Sequence, residues 1–184
     1  AKAMIDDLAA FGAPVMLFSG GEPLVRKDLV ELASYATSKG MRAVISTNGT
    51  LITKDKAREL KSVGLSYVGI SLDGGEAVHD LFRAVPGAFK KALQGVENCQ
   101  AEGLKVGLRF TINKRNAAEI PEIFRIVKEM DIPRVCFYHL VYSGRGSELI
   151  KEDLDHAETR AAVDLIMDER SEEHTSELQS RSDL

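Results

Sequence analysis

Residues 14–23 read PVMLFSGGEP: an unbroken apolar run, then a serine, two glycines, a glutamate and a proline. A short apolar run closed by a glycine pair is the profile of a buried parallel strand that turns sharply at its carboxyl end. The profile recurs as RAVISTNGT at 42–50 and SYVGISLDGG at 66–75. Two more runs, KVGLRFTI at 105–112 and RVCFYHLV at 134–141, bring the predicted strands to five: 14–18, 42–46, 66–72, 105–112 and 134–141. Their near-continuous apolar character predicts a sheet covered on both faces.

Helical periodicity fills the gaps. Met4, Leu8 and Phe11 mark a helix already under way at Ala1, so the chain reads as opening in mid-architecture, with a first strand missing. Leu29, Leu32, Ala33 and Ala36 form the next apolar stripe, ahead of a Gly40 stop. Thr53 is an N-cap for a helix carrying Ala57, Leu60 and Val63, with Gly64 at its end. Pro86 stands in the first turn of a helix through Phe89, Leu93, Val96 and Cys99, and Gly103 ends it. Asn116 and Glu119 form a capping box before Ile120, Ile123, Phe124 and Val127, and a last helix fits 156–168. Successive strands start 28, 24, 39 and 29 residues apart, each gap one crossover unit of right-handed sense. The fold class is therefore α/β. It is a partial (β/α) barrel of about five parallel strands with outer helices, since a full eight-unit barrel takes about 250 residues.

Composition narrows the function classes. The chain has 184 residues, 44% hydrophobic and 28% charged, with a net charge of −4. A dedicated nucleic-acid binder would carry a basic excess, and no polybasic run is present. No apolar run reaches the length of a membrane helix and no signal sequence opens the chain, so a cytoplasmic protein without membrane or nucleic-acid partners is expected. Cys99 and Cys136 are too few and too far apart for a disulfide framework or a self-contained metal site, so no metal ligand is predicted.

The polar clusters each follow the carboxyl end of a strand, where ligands bind in parallel α/β architectures. Gly20 and Gly21 let the backbone approach a ligand and present bare carbonyls to a cationic group, with Glu22 adding fixed negative charge; a plain strand-to-helix turn is the alternative. Asn48–Gly49 is either a turn or part of the same cleft. Ser71 and Asp73 either hold ribose hydroxyls or cap the next turn. Arg109, inside an apolar strand, needs a carboxylate partner, either Glu22 or a ligand. Gly21, Glu22, Asn48, Ser71, Asp73 and Arg109 are expected to face one cavity. His139 reads as a core histidine, His79 and His156 as surface residues, Cys99 and Cys136 as buried small hydrophobes, and Gly144, Arg145 and Gly146 as a turn.

Taken together, the strand-end GGEP, STNGT, SLDG and YHLVYSGRG segments resemble the radical S-adenosylmethionine (SAM) superfamily. HDLFRAVPGAFKKALQGVENC and FYHLVYSGRG are most similar to its branch acting on haem-like tetrapyrroles. The resemblance implies a core domain over residues 1–168, a 4Fe-4S cluster and SAM. The cluster would donate an electron to the sulfonium, giving a 5′-deoxyadenosyl radical that takes hydrogen from a small-molecule or cofactor-precursor substrate. It further implies an electron donor such as flavodoxin or ferredoxin. Gly20, Gly21 and Glu22, with Pro23 closing the motif, would receive the methionyl ammonium. Ser71 and Asp73 would meet the ribose or carboxylate, Arg109 the carboxylate, and Thr47 and Asn48 would line the pocket. The family's CxxxCxxC loop belongs ahead of Ala1, so the cluster ligands are absent and this chain is expected to be inactive alone. No catalytic residue is assigned. A lyase or aldolase binding a phosphorylated substrate is disfavoured because no strand ends in lysine. A non-catalytic ligand-binding module remains a further alternative. Residues 169–184, serine- and glutamate-rich, are expected to be an unstructured tail; from Arg170 they resemble translated sequencing-adapter sequence.

Overall fold

The computed structural model describes residues 1–142 and 150–182. Its order is α1 (Lys2–Ala10), β1 (Val15–Phe18), α2 (Leu29–Ser38), β2 (Arg42–Thr47), α3 (Lys54–Ser62) and β3 (Tyr67–Ser71). There follow α4 (Glu76–Arg83), α5 (Ala88–Ala101), β4 (Val106–Thr111), α6 (Ile120–Glu129), β5 (Val135–Tyr138) and α7 (His156–Ser182). The strands form one parallel sheet in the order β1-β2-β3-β4-β5. Because sequence order and spatial order coincide, right-handed crossovers place the connecting helices on a single face. That is the arrangement of a partial barrel, as the strand spacing predicts.

The helix-covered face is the core. Ala43, Ile45, Val68, Ile70, Val106, Leu108 and Phe110 alternate along the central strands and are at most 1% exposed. Leu29, Leu32, Ala33 and Ala36 of α2, and Ile120, Ile123 and Phe124 of α6, are buried on the same side. Among the described residues no helix packs on the other, inner face, which corrects the expectation of two covered faces. A sheet that curls into an arc shelters its inner face by curvature instead. On that face the register sets Leu17, Val44 and Tyr67 in one row, Ser46, Gly69 and Gly107 in the next, and Ser71, Arg109 and Cys136 above them. Leu17 is 46% exposed.

Other departures from the sequence reading have local causes. α4 was not predicted; the 39-residue gap between the third and fourth strands holds two helices. α5 begins at Ala88 rather than Pro86, because Gly87 has φ +78° and breaks any continuous helix. β5 stops at Tyr138, the partner of Thr111 where β4 ends, and His139 just beyond is exposed rather than core. The Asn116–Glu119 capping box does not form. The Asn116 amide instead accepts from Asn113 N and donates to the Thr111 carbonyl, while Glu119 Oε2 accepts from Gly75 N at 2.8 Å. The tail expected to be unstructured is helical through Ser182; from Arg170 it contains no glycine or proline, and its Glu, Gln, Leu and Arg residues sustain a helix. The predicted turn at Gly144, Arg145 and Gly146 lies outside the described residues. Among the described residues, no helix is long and apolar enough to cross a membrane.

Candidate functional site

Three loops at the carboxyl ends of β1, β2 and β3 meet around a cleft of about 340 Å³. Its walls include Ser19, Gly20 and Gly21 from the first loop, Ser46, Thr47, Asn48 and Thr50 from the second, and Ser71 from the third. His79, Arg83, Val85 and Ala88 close the far side. Gly20 has φ +140°, a backbone state that residues with a Cβ rarely adopt, so the glycine is required to turn the chain here.

Glu22 builds this cleft from behind. Its Oε1 accepts from Thr47 Oγ1 at 2.6 Å and from Leu24 N at 3.0 Å, and its Oε2 accepts from Asn48 N at 2.8 Å. One carboxylate therefore ties the first loop to the second, and the Pro23–Val25 turn starts on it with Pro23 buried. Thr47 Oγ1 accepts in turn from Gly49 N, and Asn48 Oδ1 accepts from both Thr50 N and Thr50 Oγ1. Gly49, at φ +78°, lies so close to α5 that a Cβ on Gly95 would stand 2.5 Å from its carbonyl oxygen.

Asp73 is 3% exposed and its carboxylate takes both Nε (2.5 Å) and Nη2 (3.1 Å) of Arg83. Its backbone N–H donates to His79 Nδ1 at 3.1 Å. His79, expected on the surface, is 1% exposed, and its ring meets Phe89 edge-on. Its partnership with Asp73 spans six residues, a spacing that becomes informative only once α4 is recognised.

Arg109 lies on the inner face beside its register partner Ser71, and its guanidinium sits 4.4 Å above the Tyr138 ring. Its stem crosses Gly69, where a Cβ would be 2.8 Å from the Arg109 Cδ. The expected Glu22 partner is not there, because Glu22 is held by the first two loops. Among the described residues no carboxylate forms an ion pair with Arg109. Burial raises the Tyr138 phenol above its ordinary value, against an opposing pull from the Arg109 charge. Burial likewise raises Tyr67, whose hydroxyl is enclosed and has no hydrogen-bond partner among the described residues.

Of the residues expected from sequence, Gly20, Gly21, Thr47, Asn48 and Ser71 converge on the cleft. Glu22, Pro23 and Asp73 do not line it; the two carboxylates are engaged by protein donors and hold the loops in place. Arg109 is also outside the lining. The expectation that Glu22 and Asp73 face the same cavity is corrected accordingly, while Arg109 stands beside Ser71, which does line it. Cys99 is buried in α5, with its thiol pushed up to about 12 by burial, whereas Cys136 is half-buried on the inner face.

Residues 1–127 match the family model of the Radical SAM superfamily. The chain belongs to that superfamily. It is 64% identical over 173 residues to Fe-coproporphyrin III synthase of Methanosarcina barkeri, covering 94% of this chain and 43% of that protein. It is 43% identical over 167 residues to pre-heme d1 synthase of Dinoroseobacter shibae, covering 91% of this chain and 41% of that protein. The chain thus spans less than half the length of these curated relatives. Its fold is similar to that of native anSMEcpe with bound AdoMet (TM-score 0.76, 18% identity, 95% of this chain and 51% of that one). It is also similar to Streptococcus suis SuiB bound to S-adenosylmethionine (TM-score 0.78, 19% identity, 94% of this chain and 39% of that one).

Proposed function

We propose that the cleft is the SAM site of a radical SAM enzyme acting on a porphyrin or haem precursor, the class named in Fe-coproporphyrin III synthase and pre-heme d1 synthase. The observation that carries this reading is the convergence of three strand-end loops on one cleft. Its volume of about 340 Å³ falls within the roughly 300–1,000 Å³ usual for small-molecule sites. The residues present suit SAM. Gly20 and Gly21 bring backbone to the surface of the cleft beside the negative charge of Glu22, an environment for an ammonium group. The Ser71 hydroxyl and the neighbouring Arg109 guanidinium, which no protein carboxylate occupies among the described residues, suit a carboxylate. Bound SAM would supply the radical chemistry of the superfamily where a 4Fe-4S cluster, which these residues do not hold, relays an electron from an external donor such as flavodoxin or ferredoxin. The residues of this chain orient it and keep water from it.

The residues present do not suit the 4Fe-4S cluster. Cys99 lies in α5 on the helix side of the sheet and Cys136 on the inner face, and the chain has no third cysteine. Among the described residues, no group of three or more His, Cys, Asp or Glu stands together to hold a metal. No step is therefore assigned to a cluster held by these residues. Anaerobic reconstitution of this chain with iron and sulfide is expected to give no stoichiometric cluster by absorbance.

The test is titration of SAM into the 184-residue chain, followed by calorimetry and by amide shifts in NMR. Shifts at Gly20, Asn48 and Ser71 are expected, with affinity lowered about tenfold by Arg109→Met, the size of one charge-assisted hydrogen bond. Phosphate should not compete. No shift at these positions, or displacement by inorganic phosphate, overturns the reading and favours a phosphate-binding lyase.

A further inference from the structure

Two arginines stand near the strand-end loops, and their donors are spent differently. Arg83 gives both Nε–H and Nη2–H to the Asp73 carboxylate. Arg109 has no carboxylate partner among the described residues and is held by another kind of contact, its guanidinium lying 4.4 Å from the centroid of the Tyr138 ring. A guanidinium carries its five N–H donors in its own plane, so a ring can hold the charge without consuming them as a carboxylate would. The stem of Arg109 is accommodated as well. Gly69, buried inside β3, is not at positive φ, so its backbone would accept a side chain, and what the glycine supplies there is space. A Cβ on Gly69 would stand 2.8 Å from Arg109 Cδ and 3.3 Å from Arg109 Cγ. Glycine weakens a strand interior, and a common reason for it is the close approach of another group. Here that group is the Arg109 stem.

We infer that Tyr138 and Gly69 are positioning residues for Arg109: the ring holds the head, the glycine admits the stem, and the N–H donors are left for a ligand carboxylate. The inference rests on the functional reading above, in which that carboxylate belongs to SAM, and it adds two residues that act through Arg109 rather than on the ligand. The register places them suitably, since the β3 partner of Arg109 is Ser71, which lines the cleft, and Tyr138 ends β5 opposite Thr111 at the end of β4. A free arginine side chain loses much rotamer freedom when a ligand orders it. One already ordered by protein contacts loses less and binds more tightly by that difference.

The probes are S-adenosylhomocysteine and its decarboxylated analogue, which differ only in the carboxylate, titrated into the full 184-residue chain and followed by NMR. The wild-type chain is expected to prefer the acid. Arg109→Met should abolish that preference, a loss of about tenfold. Tyr138→Leu and Gly69→Ala should each weaken the acid about three- to fivefold, and Tyr138→Phe, which keeps the ring, should restore most of the loss. None of these variants should bind the decarboxylated analogue differently from the wild type, a pattern that general damage to the fold would not give. In the free wild-type chain the Arg109 side-chain resonances should be shifted upfield by the Tyr138 ring, a measurement that needs no variant to fold. Equal losses with both ligands, an unchanged preference for the acid in Tyr138→Leu and Gly69→Ala, no recovery in Tyr138→Phe, or no upfield shift overturns the inference while leaving the SAM site standing. Absence of wild-type binding overturns both.

Discussion

The two faces of the sheet obey different rules, although the same five strands make both. On the helix side, Ile45, Val68, Ile70, Leu108 and Phe110 are sealed at 1% exposure or less. Across the same backbone, one residue along, stand Leu17, exposed, then Ser46, Ser71 and Arg109, half-buried, and Gly69, whose lack of a side chain leaves room for the Arg109 stem. A period of two in side-chain direction separates them, so adjacent residues serve stability and binding respectively. The loops at the strand ends join the two roles. Glu22 and Asp73 spend their charge inward on protein donors, and in doing so fix backbone and side chains that face the cleft.

The largest expected contrast comes from truncating each face. Phe110→Ala should cost about 3–5 kcal/mol, because its ring is fully enclosed and packs against Phe137 at 5.7 Å. Urea denaturation measures this. Leu17→Ala on the inner face should cost about 0.5 kcal/mol, since nearly half of that side chain is already in water. Similar losses at both sites would mean that something covers the inner face in solution.

Gly95→Ala tests the point where core and cleft touch. Alanine favours a helix over glycine by about 1 kcal/mol, but here its Cβ would stand 2.5 Å from the Gly49 carbonyl, a rigid backbone atom. Overpacking of this kind costs about 1–3 kcal/mol, so the clash wins and net stability should fall. Because Gly49 follows Asn48, SAM affinity should fall with it.

Glu22→Gln should cost about 1–3 kcal/mol, since an amide NH2 must then face at least one of the donors Thr47 Oγ1, Leu24 N or Asn48 N. Hydrogen exchange should show the 47–50 loop opening more readily. A variant as stable as the parent, with unchanged exchange, would remove Glu22 as the tie between the two loops.

How much of this was legible in the sequence follows the same division. Strand order and the outer core are written as apolar runs at regular spacing, and Gly20, Gly21, Asn48 and Ser71 follow from their place after those runs. What the sequence hides depends on contacts distant in the chain. Glu22 and Asp73 read as ligand-facing carboxylates because nothing local announces Thr47 and Asn48, or Arg83, as their partners. Nothing in the sequence around His79 marks α4, which lies within one long gap between strands, so the burial of this histidine is not legible there. An arginine inside an apolar strand calls for a carboxylate, whereas the Tyr138 ring, two residues beyond the Arg109 register partner Cys136, supplies a cation–π contact instead.

The two cysteines give the finest test of the two faces. Cys99 is enclosed on the helix side, and burial raises its thiol from an ordinary value near 9 to about 12. Cys136 is half-buried on the inner face. At pH 8 a disulfide reagent should label Cys136 in the folded chain and leave Cys99 unmodified until denaturant is added, since only a thiolate in reach of the reagent reacts. The raised value also sets a sign for stability. Above pH 9 the unfolded chain releases the Cys99 proton while the folded chain keeps it, so the stability from this group is complete below about 9 and lost as pH rises toward about 12. Cys99→Ala should flatten that part of the alkaline decline, measured by urea midpoints across the range. Equal labelling of both thiols at pH 8 would place Cys99 within reach of water and end the distinction between a sealed face and an open one.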